Sequence, residues 1–302
     1  MSQGGMELWI WVTIAAAGVQ TLRFMLQRRL KALGLSTGGA TFSRFVFAAP
    51  IAGAAAVLLL MAEGQGAPAL SARFWTFAVA GGICQIVATF CTVALFSERS
   101  FAVGIAFTKT ETVQVAGFSA LILGEAVSAP GLVAILIGVA GLVMLSPPPA
   151  GQAGRFFGRA MVLGILAGGF FGLSAVGYRG ATEALALDGA LLRAVMALAC
   201  VTAFQTGAMA LWLMWREPGE VARVARAWRA TALVGVTGVL GSAGWFTAFA
   251  LQNAAYVRAL GQVELIFGVL VSALVLRERV SGREVAGMAV LAVSIAMIVL
   301  VA

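Results

Sequence analysis

One stretch occurs twice in this chain, and it limits the folds open to it. Residues 109–125 read KTETVQVAGFSALILGE and residues 262–278 read QVELIFGVLVSALVLRE. The offset is constant, since 264 minus 111 and 278 minus 125 both give 153. Glu111 falls on Glu264, Glu125 on Glu278, and Ser119-Ala120-Leu121 on Ser272-Ala273-Leu274. Each copy is an apolar run with a carboxylate inside it and a second carboxylate closing it, the pattern of a membrane helix that holds a buried charge. A unit present twice is an internal repeat.

Composition decides whether these runs lie in a soluble core or in a bilayer. Of 302 residues 61% are hydrophobic and 11% charged, and the mean hydropathy is +1.00. A soluble domain carries roughly 25% charged residues, so an all-α integral membrane protein is expected. A window of roughly 19–20 residues gives about ten transmembrane helices. Helices 1 to 5 fall near 7–25, 38–61, 74–96, 101–123 and 129–146. Helix 6 lies around Gly169 to Leu173, and helices 7 to 10 near 189–214, 230–250, 254–276 and 283–302.

Trp9 and Trp11 stand where interfacial aromatics belong. Gly235, Gly238, Gly241 and Gly244 recur every third residue in helix 8, which reads as close helix approach or as the wall of a cavity. Ser281-Gly282-Arg283-Glu284 has the form of a capping box. The segment Pro147-Pro148-Pro149-Ala150-Gly151 cannot continue a helix, and divides the chain into halves 1–150 and 151–302. Five is an odd number of crossings, so the second half enters from the opposite side. The expectation is ten helices as two inverted five-helix repeats, with a substrate site between them near the midplane.

Several function classes are disfavoured. Without histidine there is no imidazole relay or His–metal site. A single aspartate, Asp188, excludes an aspartate pair for a magnesium–diphosphate substrate. Cys84, Cys91 and Cys200 lie scattered in apolar runs and give no disulfide framework or metal spacing. No G-x-x-x-x-G-K-[ST] occurs. The formal charge of +8 belongs mostly to the turns, where it meets anionic lipid headgroups rather than nucleic acid. No cofactor, metal or enzymatic activity is expected; the partners are membrane lipids and a small-molecule metabolite, and monomer and homodimer are both compatible with the sequence.

Five-plus-five helices, an arginine opening helix 2 (Arg44, with Arg193 in the second copy), and a glutamate 14 residues before a closing Gly-Glu or Arg-Glu resemble the EamA-type branch of the drug/metabolite transporter superfamily. The likeness extends over almost the whole chain. It implies a central cavity surrounded by helices 1–4 and 6–9, with helices 5 and 10 at the side. That family often has proline directly after the mid-helix glutamate, where Thr112 and Leu265 stand here, so straighter helices are expected.

The resulting function is secondary active transport, proton- or exchange-coupled, of a small polar or amphipathic metabolite such as an amino acid by alternating access. A passive channel or an integral-membrane lipid enzyme is the alternative. The expected location is multi-pass in a bacterial inner (plasma) membrane. A carboxylate at a helix centre costs about 2.5–3.5 kcal/mol on insertion scales, which makes Glu111 and Glu264 the first candidates for substrate or proton binding. Thr108, Gln114 and Ser119 share the Glu111 face, while Gly261 and Gly268 flank Glu264, whose partner must then come from elsewhere. Lys109, Gln262 and Arg258 are polar neighbours of the two carboxylates in sequence, Arg258 with an edge-anchoring role as the plainer reading. Arg44 and Arg193 serve either headgroups or the cavity, and Tyr256 and Trp245 offer rings for a planar or cationic ligand. Glu125 and Glu278 are assigned to the N-termini of the helices that follow them. Arginines crowd the turns after odd-numbered helices, which by the positive-inside rule puts those turns in the cytoplasm and both termini outside. The family is usually drawn the other way.

Overall fold

Backbone groups inside a bilayer must bond within the chain, and apolar runs of this length solve that problem as helices. The computed structural model describes residues 3–95, 107–145, 158–274 and 281–302, with no side chains described for 3–7, 28, 31–32, 268 and 271–274. Among the described residues every regular element is helical. The first half contains α1 (Gln3–Ala32), α2 (Thr37–Val46), α3 (Ala48–Ala62), α4 (Ala72–Leu95), α5 (Glu111–Leu123) and α6 (Ala129–Leu145). The second contains α7 (Arg159–Glu183), α8 (Ala190–Arg216), α9 (Glu220–Arg226), α10 (Trp228–Leu251), α11 (Ala254–Leu260), α12 (Val263–Leu274) and α13 (Gly282–Val301). Among the described residues seven stretches are long and apolar enough to cross a membrane: Leu8–Gln27, Thr37–Ala62, Ala72–Leu95, Arg159–Glu183, Ala190–Arg216, Trp228–Leu251 and Gly282–Val301. The chain is thus a multi-pass membrane protein. Large apolar side chains such as Leu58, Trp11, Trp215 and Leu300 are exposed, as a lipid-facing surface requires.

Expected helix 5 is α6, expected helix 9 is the broken pair α11–α12, and of expected helix 4 the described part is α5 with the turn at Lys109–Thr110 ahead of it, residues 101–106 lying outside the described residues. Expected helix 2 is also divided, at Phe47. Its cause is Pro50, which has no N–H to give the carbonyl of Val46 four residues back. The Pro147–Gly151 join, Glu278 and Arg277 lie outside the described residues.

Helices pair across the halves. α1 packs on α10, α4 on α7, α3 on α8, α6 on α13, and α5 on both α7 and α11. Small residues permit this closeness. A Cβ on Gly177 of α7 would come 2.8 Å from the Cα of Gly81 in α4, and one on Gly141 of α6 2.8 Å from the backbone N of Leu291 in α13. Ser294 fixes the latter pair by donating to the Ala134 carbonyl at 2.7 Å. The every-third-residue glycines of α10 serve close approach. Gly235 and Gly238 face Phe47 and Arg44, whereas Gly241 and Gly244 face Val19 and Ala16, so the drift of the spacing presents one side to α2 and the next to α1.

Each end of the bundle has its own tie. At one, Arg179 donates to both Glu125 oxygens through Nε (2.8 and 2.7 Å), to the carbonyls of Phe249 (2.6 Å) and Gln252 (3.0 Å), and pairs with Glu183 at 2.9 Å. Glu125 therefore joins α7 rather than the N-terminus of α6. Ser128 caps α6, its hydroxyl accepting from Gly131 N at 3.2 Å. At the other end the Ser36 N–H donates to Glu220 at 2.7 Å and its hydroxyl to Glu217. The capping box forms as expected: Ser281 N donates to Glu284 at 2.7 Å, and Glu284 N to the Ser281 hydroxyl at 3.3 Å. Trp9, expected at the interface, is 2% exposed inside the core, while Trp11 on the opposite side of the helix is 67% exposed.

Candidate functional site

Both copies of the repeated stretch break at matching places. In the first, Lys109 and Thr110 form a turn ahead of α5; in the second, Gly261 and Gln262 form a turn between α11 and α12. The absence of proline leads to the expectation of straighter helices, and the structure corrects it. Short-range bonds do what proline does elsewhere: Thr110 and Thr112 hydroxyls bond the carbonyls of Phe107 (2.8 Å) and Lys109 (3.3 Å), and the Gln262 amide reaches the Arg258 carbonyl at 3.4 Å. Side-chain competition of this kind bends or interrupts a helix. Glu111 and Glu264 are consequently not mid-helix residues. Each lies in the first turn of a half-helix, where unpaired N–H groups and the positive end of the dipole favour a carboxylate.

The breaks face one another, and their charges pair crosswise. Arg258, just before the second break, meets Glu111, just after the first, with Nη2 2.6 Å from Oε2. Lys109 in the first break forms an ion pair with Glu264 after the second. Gln262 in the second donates to Thr112 after the first, at 2.7 Å. Arg258 is thus no edge anchor: its side chain is 11% exposed. Such pairs hold together because each charge satisfies the other where water cannot. Glu264 also accepts from Gln20 of α1 at 2.9 Å, so its partners come from other helices. Of the residues on the Glu111 face, Gln114 turns to Thr110 at 2.8 Å.

A second polar group abuts the first. Arg44, in the last turn of α2, is 6% exposed and donates to Thr89 at 2.9 Å and towards Ser242 at 3.5 Å. With its amide oxygen turned to Arg44, Gln85 accepts from both terminal nitrogens at 2.6 and 2.7 Å and donates to Ser174 at 2.8 Å; that orientation satisfies every partner. Arg23 of α1, 2% exposed, donates to Gln27 at 3.0 Å and Gln20 at 3.4 Å. Trp245 donates to Gln20 at 3.1 Å, and its ring lies 4.6 Å from the Arg258 guanidinium carbon. Tyr178 stacks on Phe246 with 4.1 Å between ring centres. All of these groups except Arg23, Gln27 and Thr89 line a cavity of ≈ 20 Å³ walled by α1, α2, α4, α7, α10 and α11, about the room of one water.

The structure brings Glu111, Glu264, Lys109, Arg258, Gln262, Trp245 and Arg44 into one connected layer. Tyr256 lies apart. Its hydroxyl accepts from Ser128 N at 3.1 Å and lies 3.0 Å from Ser128 Oγ, tying α11 to the start of α6. Gln114 lies beside Gly169 of α7, and Arg193 is half-buried on α8 without lining the cavity. Sequence reasoning passed over Gln20, Arg23, Gln27, Gln85, Ser174, Tyr178 and Ser242. The first three carried a readable signal, since a 3–4 spacing of polar residues inside an apolar span marks one helix face.

No family model matches this chain, and no curated protein does. Among solved structures, one protein known from a crystal structure superposes with a TM-score of 0.66 at 15% identity, over 98% of this chain and 96% of that one. A likeness at that identity speaks for the fold alone.

Proposed function

We propose that this chain is a secondary active transporter, built as two inverted five-helix repeats, that moves a small polar or amphipathic metabolite across the membrane by alternating access with proton or exchange coupling. One observation carries the reading: the two repeated stretches break at equivalent positions and meet through crossed ion pairs beside a polar cavity walled by both halves. Broken helices with charged groups in the membrane interior are tolerated where they line a pathway. The cross-half pairing also supports the reading, because exchanging first and second copies turns the α1–α10 pair into the α7–α4 pair. The resemblance of the sequence to EamA-type transporters points the same way. Opening on either side requires the layer to part, and ion pairs that re-form afterwards suit that task.

The test is flux into proteoliposomes holding the purified full chain, with a metabolite panel and an imposed pH gradient. Saturable uptake that responds to the gradient, or to a trans pool of the same solute, is expected. Uptake linear in concentration would assign a channel, and turnover of a lipid in detergent an enzyme; either outcome removes the proposal.

A further inference from the structure

The buried layer carries more positive than negative charge. Its cations are Arg23, Arg44, Lys109 and Arg258, and its carboxylates are Glu111 and Glu264, four against two among the described residues. The ion pairs use Lys109 and Arg258 with both carboxylates. Arg44 and Arg23 remain, and they are close together: a Cβ on Gly238 would lie 3.4 Å from Arg44 Cγ and 3.8 Å from Arg23 Cδ. Among the described residues both donate hydrogen bonds only to neutral oxygens, Arg44 to those of Thr89, Ser242 and Gln85, Arg23 to those of Gln27 and Gln20, and each guanidinium also lies over a ring, Phe45 for Arg44 and Phe24 for Arg23.

Two buried arginine side chains this near to one another, with no carboxylate partner among the described residues, carry like charges that are poorly solvated. An arrangement this costly fits a site whose ligand brings the missing charge. Arg44 and Arg258 both line the central cavity, with the Ser242, Ser174 and Tyr178 hydroxyls and the Trp245 ring around it. We propose that this cavity is the binding site for a small soluble organic anion, a carboxylate or phosphate ester with an apolar or aromatic body. The anionic group sits on Arg44, and the body lies against Trp245 and the Tyr178–Phe246 stack. Arginine suits this task because its planar fork matches two anion oxygens. Cavity size requires the flanking helices to part before the whole ligand enters. This inference rests on the transport reading for its purpose, though not for its chemistry.

The test uses matched probes that differ only in charge: benzoate, benzyl alcohol and benzylamine, then butyrate, butanol and butylamine, with phenyl phosphate and inorganic phosphate alongside. Each is titrated against the purified full chain in nanodiscs, read by tryptophan fluorescence and thermal shift. The expected result is saturable binding of at least one anion with a body, about tenfold or more tighter than its matched amine and alcohol, the size of one charged hydrogen bond. Arg44→Gln loses about tenfold in affinity for that anion, and Arg44→Lys keeps the order anion over amine. Equal binding of amine or alcohol, no saturation by any anion of the panel, or unchanged affinity in Arg44→Gln overturns the proposal. If Arg44→Gln does not fold, the charge series on the unaltered chain and Arg44→Lys still decide. Competition by phosphatidylglycerol added to phosphatidylcholine nanodiscs would assign the site to a lipid headgroup and overturn the soluble anion. Anion binding without flux would leave this site standing and remove the transport reading; saturable flux of a cation without anion binding would do the reverse.

Discussion

Glu111 and Arg258 stabilise the fold only as a pair. Glu111 is 3% exposed, and removing its partner leaves a carboxylate with no solvent to take over. Arg258→Gln should therefore cost about 3–5 kcal/mol, while the double variant Arg258→Gln with Glu111→Gln recovers more than half of the loss. Thermal or denaturant unfolding in detergent measures the cycle, and additive losses would show the two side chains to be uncoupled. Tyr256 is predicted to behave differently from the cavity residues. Tyr256→Phe removes the bonds to Ser128 and should lower stability by about 1 kcal/mol while leaving substrate affinity unchanged. A shift in affinity without loss of stability would place the ring in the pathway after all. That Glu111 and Glu264 are charges needing partners inside the bundle was legible from the sequence, because a charge in an apolar run is conspicuous. Their partners were not, since Arg258 lies 147 positions from Glu111 and Gln20 lies 244 from Glu264, and no local pattern encodes such distances.

At the scale of elements, hydropathy located most spans to within a few residues, since the bilayer imposes their length, although it placed helix 6 only by its middle and ended helix 1 seven residues early. It missed the interruptions, which depend on single side chains. Pro50 divides the second span in a way that its position announces, but the breaks at Lys109–Thr110 and Gly261–Gln262 arise from hydroxyl and amide groups that many unbroken helices also contain. Helix pairing at glycine was half legible: the glycines were evident and their neighbours were not. The contact of α4 with α7 depends on two of them. Gly177→Ala should cost about 1–3 kcal/mol by overpacking, because the added methyl meets backbone atoms of α4 that cannot rotate away. Gly53→Ala, with nothing within 4 Å of its Cβ position, should be neutral or slightly stabilising. Thermal melts of both variants in one detergent decide it, and equal melting temperatures would show the α4–α7 contact to be loose enough to absorb a methyl group.

For the whole molecule, arginines gather at one end of the bundle. The end bearing the 217–219 turn has Arg216, Arg223, Arg226 and Arg229 nearby, and the end bearing the 63–71 loop has Arg73 and Arg179. The positive-inside rule then places the 217–219 turn in the cytoplasm. In intact cells Pro218→Cys should resist a membrane-impermeant maleimide and Ala67→Cys should react, both positions being exposed; the opposite pattern reverses the orientation. The cross-half packing has a consequence in time. Because α1 rests on α10, α3 on α8 and α4 on α7, the early helices leave the ribosome before their mates exist. They must wait in the bilayer with their small-residue faces against lipid or an insertion chaperone. Assembly is therefore a late, single event, and the halves, made as two separate polypeptides in one cell, should find each other while neither persists when made alone.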